Sequence, residues 1–260
     1  MFFQPVAEHI QQLCGRLTRA GFETYVVGGA VRDLMLRRVP KDYDVATAAT
    51  PEEVRELFGR RHARIIGRRF RLVHLYHGRD IVEVSTFRRD PGAAPAAFTD
   101  RHGRHAGGVI CQDNEYGTAR EDAWRRDFTV NALFYDPVDD RLADFTGMGV
   151  DDLERGLVRA IGEAAVRFRE DPVRLLRALK LVGQCEFTLA PDTESALWAS
   201  LPLIALSSRS RLSLELEKIL HQPWSDAIFA AFQRYGFMAH YLPYLNERWD
   251  TPAGDYLRHM

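Results

Sequence analysis

The residues of this chain best suited to chemistry fall between positions 25 and 45, in Tyr-Val-Val-Gly-Gly-Ala-Val-Arg-Asp and, a little later, Asp-Tyr-Asp-Val. Gly28 and Gly29 follow an apolar run, where missing Cβ atoms let backbone N–H groups close on a phosphate. Arg32 adds a planar, two-pronged grip of the kind that phosphates take. Asp42 and Asp44 stand two apart, a spacing that sends both carboxylates to one face of a strand. Paired carboxylates repel unless a cation lies between them, and Mg²⁺ accepts such a pair while keeping other positions for phosphate oxygens. A solvated strand face or a turn also carries Asp-x-Asp; the glycines and Arg32 tilt the reading towards phosphate chemistry. Glu83 sits inside an apolar strand-like run, where a buried charge would need a partner. It is a rim residue unless its strand lies beside 41–45, in which case it is a third carboxylate of the same cluster.

The elements around these residues follow from periodicity and stop signals. Residues 6–20 predict an amphipathic helix with Ile10, Leu13 and Leu17 on one stripe and Gly21 as its stop. Strand Thr24–Val27, a short helix over 30–37 and a strand Lys41–Val45 come next. Thr50-Pro51-Glu52-Glu53 is a capping box with Pro at the first helical position, opening a helix to Phe58. Ala63–Ile66, Phe70–Tyr76 and Asp80–Phe87 read as three strands joined by glycine-containing turns. Residues 90–118 lose all periodicity and predict a long loop in which His102, Arg104 and His105 are solvated. Glu121–Asp127 is helical, Phe128–Tyr135 either helical or extended, and Asp139–Phe145 a hairpin arm. After Gly147 and Gly149 the chain turns helical, so a boundary is expected near residue 150. Asp171 and Pro172 mark the clearest helix start, as N-cap and first-turn residue, with Arg174 and Arg177 one turn apart on one face. Helices over Ser213–Leu220 and Asp226–Tyr235 follow, then a weakly structured tail over 245–260.

Bulk composition narrows the class. The 260 residues are 46% hydrophobic and 27% charged with a formal charge of −1, an ordinary globular balance without a global cationic field. Cys14, Cys111 and Cys185 are odd in number and far apart, which suggests neither a disulfide framework nor a zinc site. No apolar run is long enough for a bilayer, and the first residues lack a signal-peptide pattern, so a cytoplasmic location is expected.

Four ordered motifs combine into a resemblance: Gly28-Gly29-Ala30-Val31-Arg32-Asp33, Asp42-Tyr43-Asp44, Arg125-Arg126-Asp127-Phe128-Thr129-Val130-Asn131-Ala132-Leu133, and Glu170-Asp171-Pro172-Val173-Arg174. Across roughly residues 22–220 the series resembles the class II tRNA nucleotidyltransferase and bacterial poly(A) polymerase family. The resemblance implies an α+β protein: a nucleotidyltransferase-type mixed-sheet head over 1–150, then an all-helical neck and partial body over 151–260 that binds the base and RNA. It implies Mg²⁺ on Asp42 and Asp44, with Glu83 helping to activate the primer 3′-hydroxyl. Gly28, Gly29 and Arg32 would cradle the triphosphate, and Arg126, Asp127 and Asn131 would position ribose and phosphates. Asp171 and Arg174, with Arg177, would read the base edge, and Asp144 with Gly147 would form the joint between head and neck.

Within the family, Ile65-Ile66-Gly67-Arg68-Arg69-Phe70-Arg71-Leu72-Val73-His74 resembles the signature of the bacterial poly(A) polymerases, and Asp113-Asn114 with Gly117 resembles their version of the following loop. The resemblance therefore implies AMP addition from ATP to the 3′ end of an mRNA or tRNA. The runner-up is addition of CCA, or of the terminal adenosine alone, to tRNA; a non-catalytic RNA-binding relative is a third reading, disfavoured by the presence of all three acids. Relatives continue well beyond this length, so low processivity is expected. Ser207–Arg211 and Glu215 match a further neck motif only loosely and are left outside the expected site.

Overall fold

The computed structural model describes residues 5–67, 71–78, 80–89 and 116–251, and the chain divides into two compact units, Met1–Val150 and Asp151–Met260. The aperiodic stretch expected to be a loop over 90–118 lies outside the described residues as far as residue 115, with His102, Arg104, His105, Asp113 and Asn114; so do Arg68, Arg69 and Phe70.

The first unit runs α1 (Glu8–Arg19), β1 (Thr24–Val27), α2 (Gly29–Met35), β2 (Asp44–Thr47), α3 (Pro51–Phe58), β3 (Ala63–Ile66), β4 (Leu72–His77), β5 (Asp80–Thr86), α4 (Ala119–Trp124), a 3-10 turn (Thr129–Asn131), β6 (Leu133–Asp136) and β7 (Arg141–Asp144). Its strands form one mixed sheet in the order β3-β4-β5-β2-β1-β6-β7. Only β2 and β5 pair in parallel; the connection between them holds α3 and the β3–β4 hairpin. Ile10, Leu13, Cys14 and Leu17 bury the apolar stripe of α1. In α3 the Thr50 hydroxyl accepts from the Glu53 N–H at 3.3 Å, and the Glu53 carboxylate accepts from the Thr50 N–H at 2.8 Å, so two otherwise unpaired donors at the helix start are satisfied.

Two expectations shift here. The strand drawn over Lys41–Val45 begins only at Asp44. Its antiparallel partner β1 ends at Val27, opposite Asp44, where Gly28 turns the chain away with φ +74°. Residues 41–43 therefore run past the end of β1, and Asp42 lies in the bend before β2. The undecided run 128–135 resolves into the 3-10 turn and β6, with β7 as the expected hairpin arm.

Among the described residues the second unit is helical except for one parallel pair of two-residue strands. From α5 (Gly149–Glu154), which crosses the boundary, the order is β8 (Leu157–Val158), α6 (Ala164–Glu170), α7 (Val173–Cys185), β9 (Thr188–Leu189), α8 (Pro191–Ser200), a 3-10 turn (Leu201–Leu206), α9 (Arg209–Leu220), α10 (Ser225–Arg234), α11 (Phe237–Tyr241) and α12 (Pro243–Arg248). Its core is α7, whose Leu175, Leu176, Leu179 and Val182 are buried. A Cβ on Gly183 would lie 2.5 Å from the Ile228 Cα, so α7 and α10 touch backbone to backbone there and only glycine fits. Asp152, 1% exposed, accepts three hydrogen bonds from Arg159 at 2.9–3.1 Å, which neutralises a buried charge. Part of the tail expected to be irregular is α12, opened by Pro243 at its first position.

Candidate active site

Strand register brings two of the candidate acids together. Asp44 on β2 stands directly opposite Glu83 on β5, and residues opposite each other in a sheet share a face. Both acids are exposed, as is Asp42 in the bend before β2. The chain beyond β1 then delivers Gly28. A Cβ there would meet Arg126 Nη1 at 3.4 Å and Asp44 Oδ2 at 3.8 Å, so glycine keeps open a space bounded by one cation and one anion. Its φ of +74° with ψ −141° is backbone that side-chain-bearing residues avoid.

Arg126 is held on three sides. Its Nε and Nη2 donate to Asp122 Oδ2 at 3.3 and 2.9 Å. Its Nη1 donates to the Asn131 carbonyl at 3.4 Å, and its guanidinium carbon lies 4.9 Å from the Phe134 ring centroid. Asp122 is 4% exposed and also accepts the Arg88 N–H at 3.2 Å, which ties the chain just past β5 to the Arg126 segment. Sequence reasoning missed Asp122. Its signal is i,i+4 spacing from α4 to Arg126, which lies just past the end of that helix, and the helix start carries a second capping box between Thr118 and Glu121.

Arg32 occupies a different place from an open phosphate fork. It is 5% exposed, its Nε and Nη2 donate to Asp33 Oδ1 at 2.9 and 2.7 Å, and its Nη1 donates to Asn131 Oδ1 at 2.9 Å. The same guanidinium backs the glycine turn, 3.4 Å from where a Cβ of Gly29 would sit. Arg32 thus joins the Gly28-Gly29 turn to the Arg126–Asn131 segment. Asp127 is buried and its Oδ1 accepts the Phe128 N–H at 2.8 Å, shaping the turn that carries Asn131. Asp144 accepts from the N–H groups of Thr146, Gly147 and Val150 at 3.0–3.1 Å, so the segment expected to be a joint is tied down by one carboxylate.

The neck candidates belong to the second unit and form their own cluster. Asp171 follows α6, and its side chain accepts the Val173 N–H at 3.3 Å, although Pro172 rather than Asp171 occupies the cap position of α7. Arg211 on α9 grips both Asp171 oxygens at 3.0 and 2.8 Å. Arg174 donates to the Arg167 carbonyl at 3.2 Å and to Glu170 at 3.4 Å, and Arg177 is exposed on the same helix. The stretch left out of the expected site therefore supplies the bidentate partner of Asp171.

Among the described residues no three His, Cys, Asp or Glu side chains converge closely enough to hold a metal ion by themselves. The donor set nonetheless suits Mg²⁺, which is bound through one or two carboxylates and completed by water and substrate phosphates. Asp42 and Asp44 offer hard, exposed oxygens, and Asp44 borders the open space at Gly28.

Comparisons with known proteins agree with this architecture. Residues 24–159 match the family described as "Poly A polymerase head domain", and residues 186–248 that described as "Probable RNA and SrmB- binding site of polymerase A". A poly(A) polymerase I of Haemophilus influenzae is 40% identical over 92% of this chain and 53% of its own length. A CCA-adding enzyme of Geobacillus thermodenitrificans is 37% identical over 94% of this chain and 55% of its own. The crystal structure of the Bacillus stearothermophilus CCA-adding enzyme in complex with CTP superposes with a TM-score of 0.76 at 32% identity, covering 93% of this chain and 55% of that one. The chain thus spans about half the length of the curated relatives it matches. Among the described residues no helix is long and apolar enough to cross a membrane. With a head-domain match over more than half its residues, the chain belongs to the class II tRNA nucleotidyltransferase and bacterial poly(A) polymerase family.

Proposed function

We propose that this chain is a template-independent nucleotidyltransferase that adds AMP from ATP to RNA 3′ ends. The observation that carries the reading is the in-register pair Asp44–Glu83 beside Gly28 and the fixed guanidinium of Arg126. The new bond joins the RNA 3′-oxygen to the α-phosphorus of ATP, the α–β phosphoanhydride breaks, and pyrophosphate leaves. Asp42 and Asp44 would hold Mg²⁺, which would supply charge neutralisation at the phosphates and help activate the hydroxyl nucleophile. Glu83 orients the 3′-hydroxyl, accepts its hydrogen bond and takes its proton, which passes on to water, as the bond to phosphorus forms. Backbone N–H groups at Gly28 and Gly29 receive phosphate oxygens, and Arg126 meets their charge. Its position is set before substrate arrives, so no reorganisation is needed as charge develops. Arg32, Asp127 and Asn131 keep that segment in register with the glycine turn. In the second unit Asp171, Arg174 and Arg177 offer acceptors and donors for a base edge, with Arg211 fixing the orientation of Asp171.

A second reading, CCA or terminal-A addition to tRNA, draws support from the CCA-adding relatives, whose identity to this chain is close to that of the polymerases. Separate supply of ATP, CTP, GTP and UTP with Mg²⁺, to oligo(A) and to a tRNA lacking CCA, distinguishes the two. ATP-only extension of both RNAs is the expected result. CTP incorporation confined to the tRNA would establish the second reading instead.

A further inference from the structure

The outer strands β3, β4 and β5 have two unlike faces. On one, Ala63, Val73, Leu75, Val82 and Val84 are buried, all at or below 4% exposure. On the other lie Arg64, Ile66, His74, Tyr76, Ile81 and Glu83, and this face is open: Ile81 is 51% exposed and Ile66 39%. Register fixes how this face joins the candidate site. Arg64 pairs with His74, His74 with Glu83, and Glu83 with Asp44, so the four side chains form one row across four strands. At about 4.8 Å between strands, His74 stands roughly 10 Å and Arg64 roughly 14 Å from the Asp44 strand position. The open face is therefore a platform that leads straight to the proposed reacting acids.

Its chemistry is that of a platform for single-stranded nucleic acid. The Arg64 guanidinium carbon lies 5.4 Å from the Tyr76 ring centroid, and the Tyr76 and His74 rings meet edge to face at 6.5 Å. Tyr76 pairs in register with the exposed Ile81. An aromatic ring flanked by an apolar side chain gives a base a surface to lie on once the arginine now lying over that ring swings out to meet the phosphodiester. His74 Nε2 is 3.5 Å from Glu83 Oε1, which links the platform to the acid row by a side-chain contact.

We infer that the open face of β3–β5 is the track on which the last nucleotides of the acceptor RNA lie, with Arg64 on a backbone phosphate and Tyr76 under a base, directing the 3′ end towards Glu83 and Asp44. The inference rests on the proposed function, because it takes RNA as the acceptor. Its test is nevertheless a binding measurement that needs no turnover. Fluorescence anisotropy with a 5′-labelled oligo(A) would compare the full chain with Arg64→Glu and Tyr76→Ala, and with Arg19→Glu, which reverses a charge on the exposed end of α1.

Loss of the stacked base weakens binding on the order of tenfold. Arg64→Glu weakens binding and lowers the slope of log K against log salt by about 0.7, the loss of one phosphate contact to a single strand. Arg19→Glu binds as the parent chain does. Affinities of Arg64→Glu and Tyr76→Ala within twofold of the parent, an equal loss in Arg19→Glu, or a parent chain that does not bind the oligonucleotide would each overturn the track. If the oligonucleotide binds in this pattern but no nucleotide is incorporated, the proposed activity fails while the track stands.

Discussion

Asp122 is the side chain on which the orientation of Arg126 depends. In the proposed reaction Arg126 meets phosphate charge, and a carboxylate at 2.9 Å fixes which of its edges faces Gly28. Asp122→Asn takes the charge out of the two hydrogen bonds that its Oδ2 accepts from Arg126, a loss of about 1.5 kcal/mol, so kcat/KM for ATP is expected to fall about tenfold. Unchanged steady-state kinetics would show that Arg126 needs no such support. Gly28→Ala should be harsher: at φ +74° it costs about 1–3 kcal/mol of backbone strain, although its methyl would only touch Arg126 and Asp44 at ordinary contact distance. A melting temperature equal to that of the parent chain would contradict this. At this scale the glycines and acids were legible as candidates because their residue types suit phosphate and metal chemistry. Asp122 and Arg211 were not, because a lone acid or arginine on a helix looks like any solvated charge until its partner is placed in space.

Among the elements, β2 shows what local pattern could and could not supply. Asp42-Tyr43-Asp44 alternates as a strand should, but β1 stops at Val27, opposite Asp44, and the chain bends at residues 41 and 42 before the strand begins. The parallel pairing of β2 with β5, which puts Glu83 beside Asp44, depends on a connection holding α3 and a whole hairpin, and no short-range signal encodes it. The capping boxes were readable in part because they close within four residues: the one at Thr50 was seen, and the one at Thr118 follows the same spacing. Thr50→Ala should cost about 1 kcal/mol, lowering the melting temperature by about 2–4 °C. Hydrogen bonds from Thr50 and Thr118 hold the Glu53 and Glu121 carboxyls below the usual 4.5. Because the unfolded chain takes up these protons first, the stabilisation is complete above about pH 4.5 and is lost as pH falls through the lower folded values. Glu53→Gln should therefore lower the urea midpoint more at pH 7 than at pH 3. An equal effect at both would remove the capping carboxylate from the stability of α3.

At the scale of the whole molecule, four motifs in fixed order carried the recognition, and the boundary near residue 150 followed from the loss of strand patterning after β7. The small β8–β9 pair in an otherwise helical unit was invisible, since two residues per strand give no periodicity. Global stability has an alkaline limit as well. Burial, with the nearby Asp136 charge adding to it, pushes the Cys14 thiol from 9.0 up to about 12. Burial followed by the Glu23 hydrogen bond pushes the Tyr25 hydroxyl from 10.0 up to about 12. Both groups keep their protons in the fold after the unfolded chain has released them, so stability falls as pH rises from about 9 towards 12. Cys14→Ala should lose less stability between pH 7 and pH 10.5 than the parent chain does; equal losses would exclude Cys14 as a source of the alkaline limit. The central claim, that the Asp42, Asp44 and Glu83 acids run nucleotidyl transfer, is tested most directly by incorporation of labelled AMP into an RNA 3′ end. With ATP and Mg²⁺ the parent chain is expected to extend the RNA and release pyrophosphate, while Asp42→Ala/Asp44→Ala keeps its fold and incorporates nothing. Incorporation by that double variant at the parent rate would contradict the account.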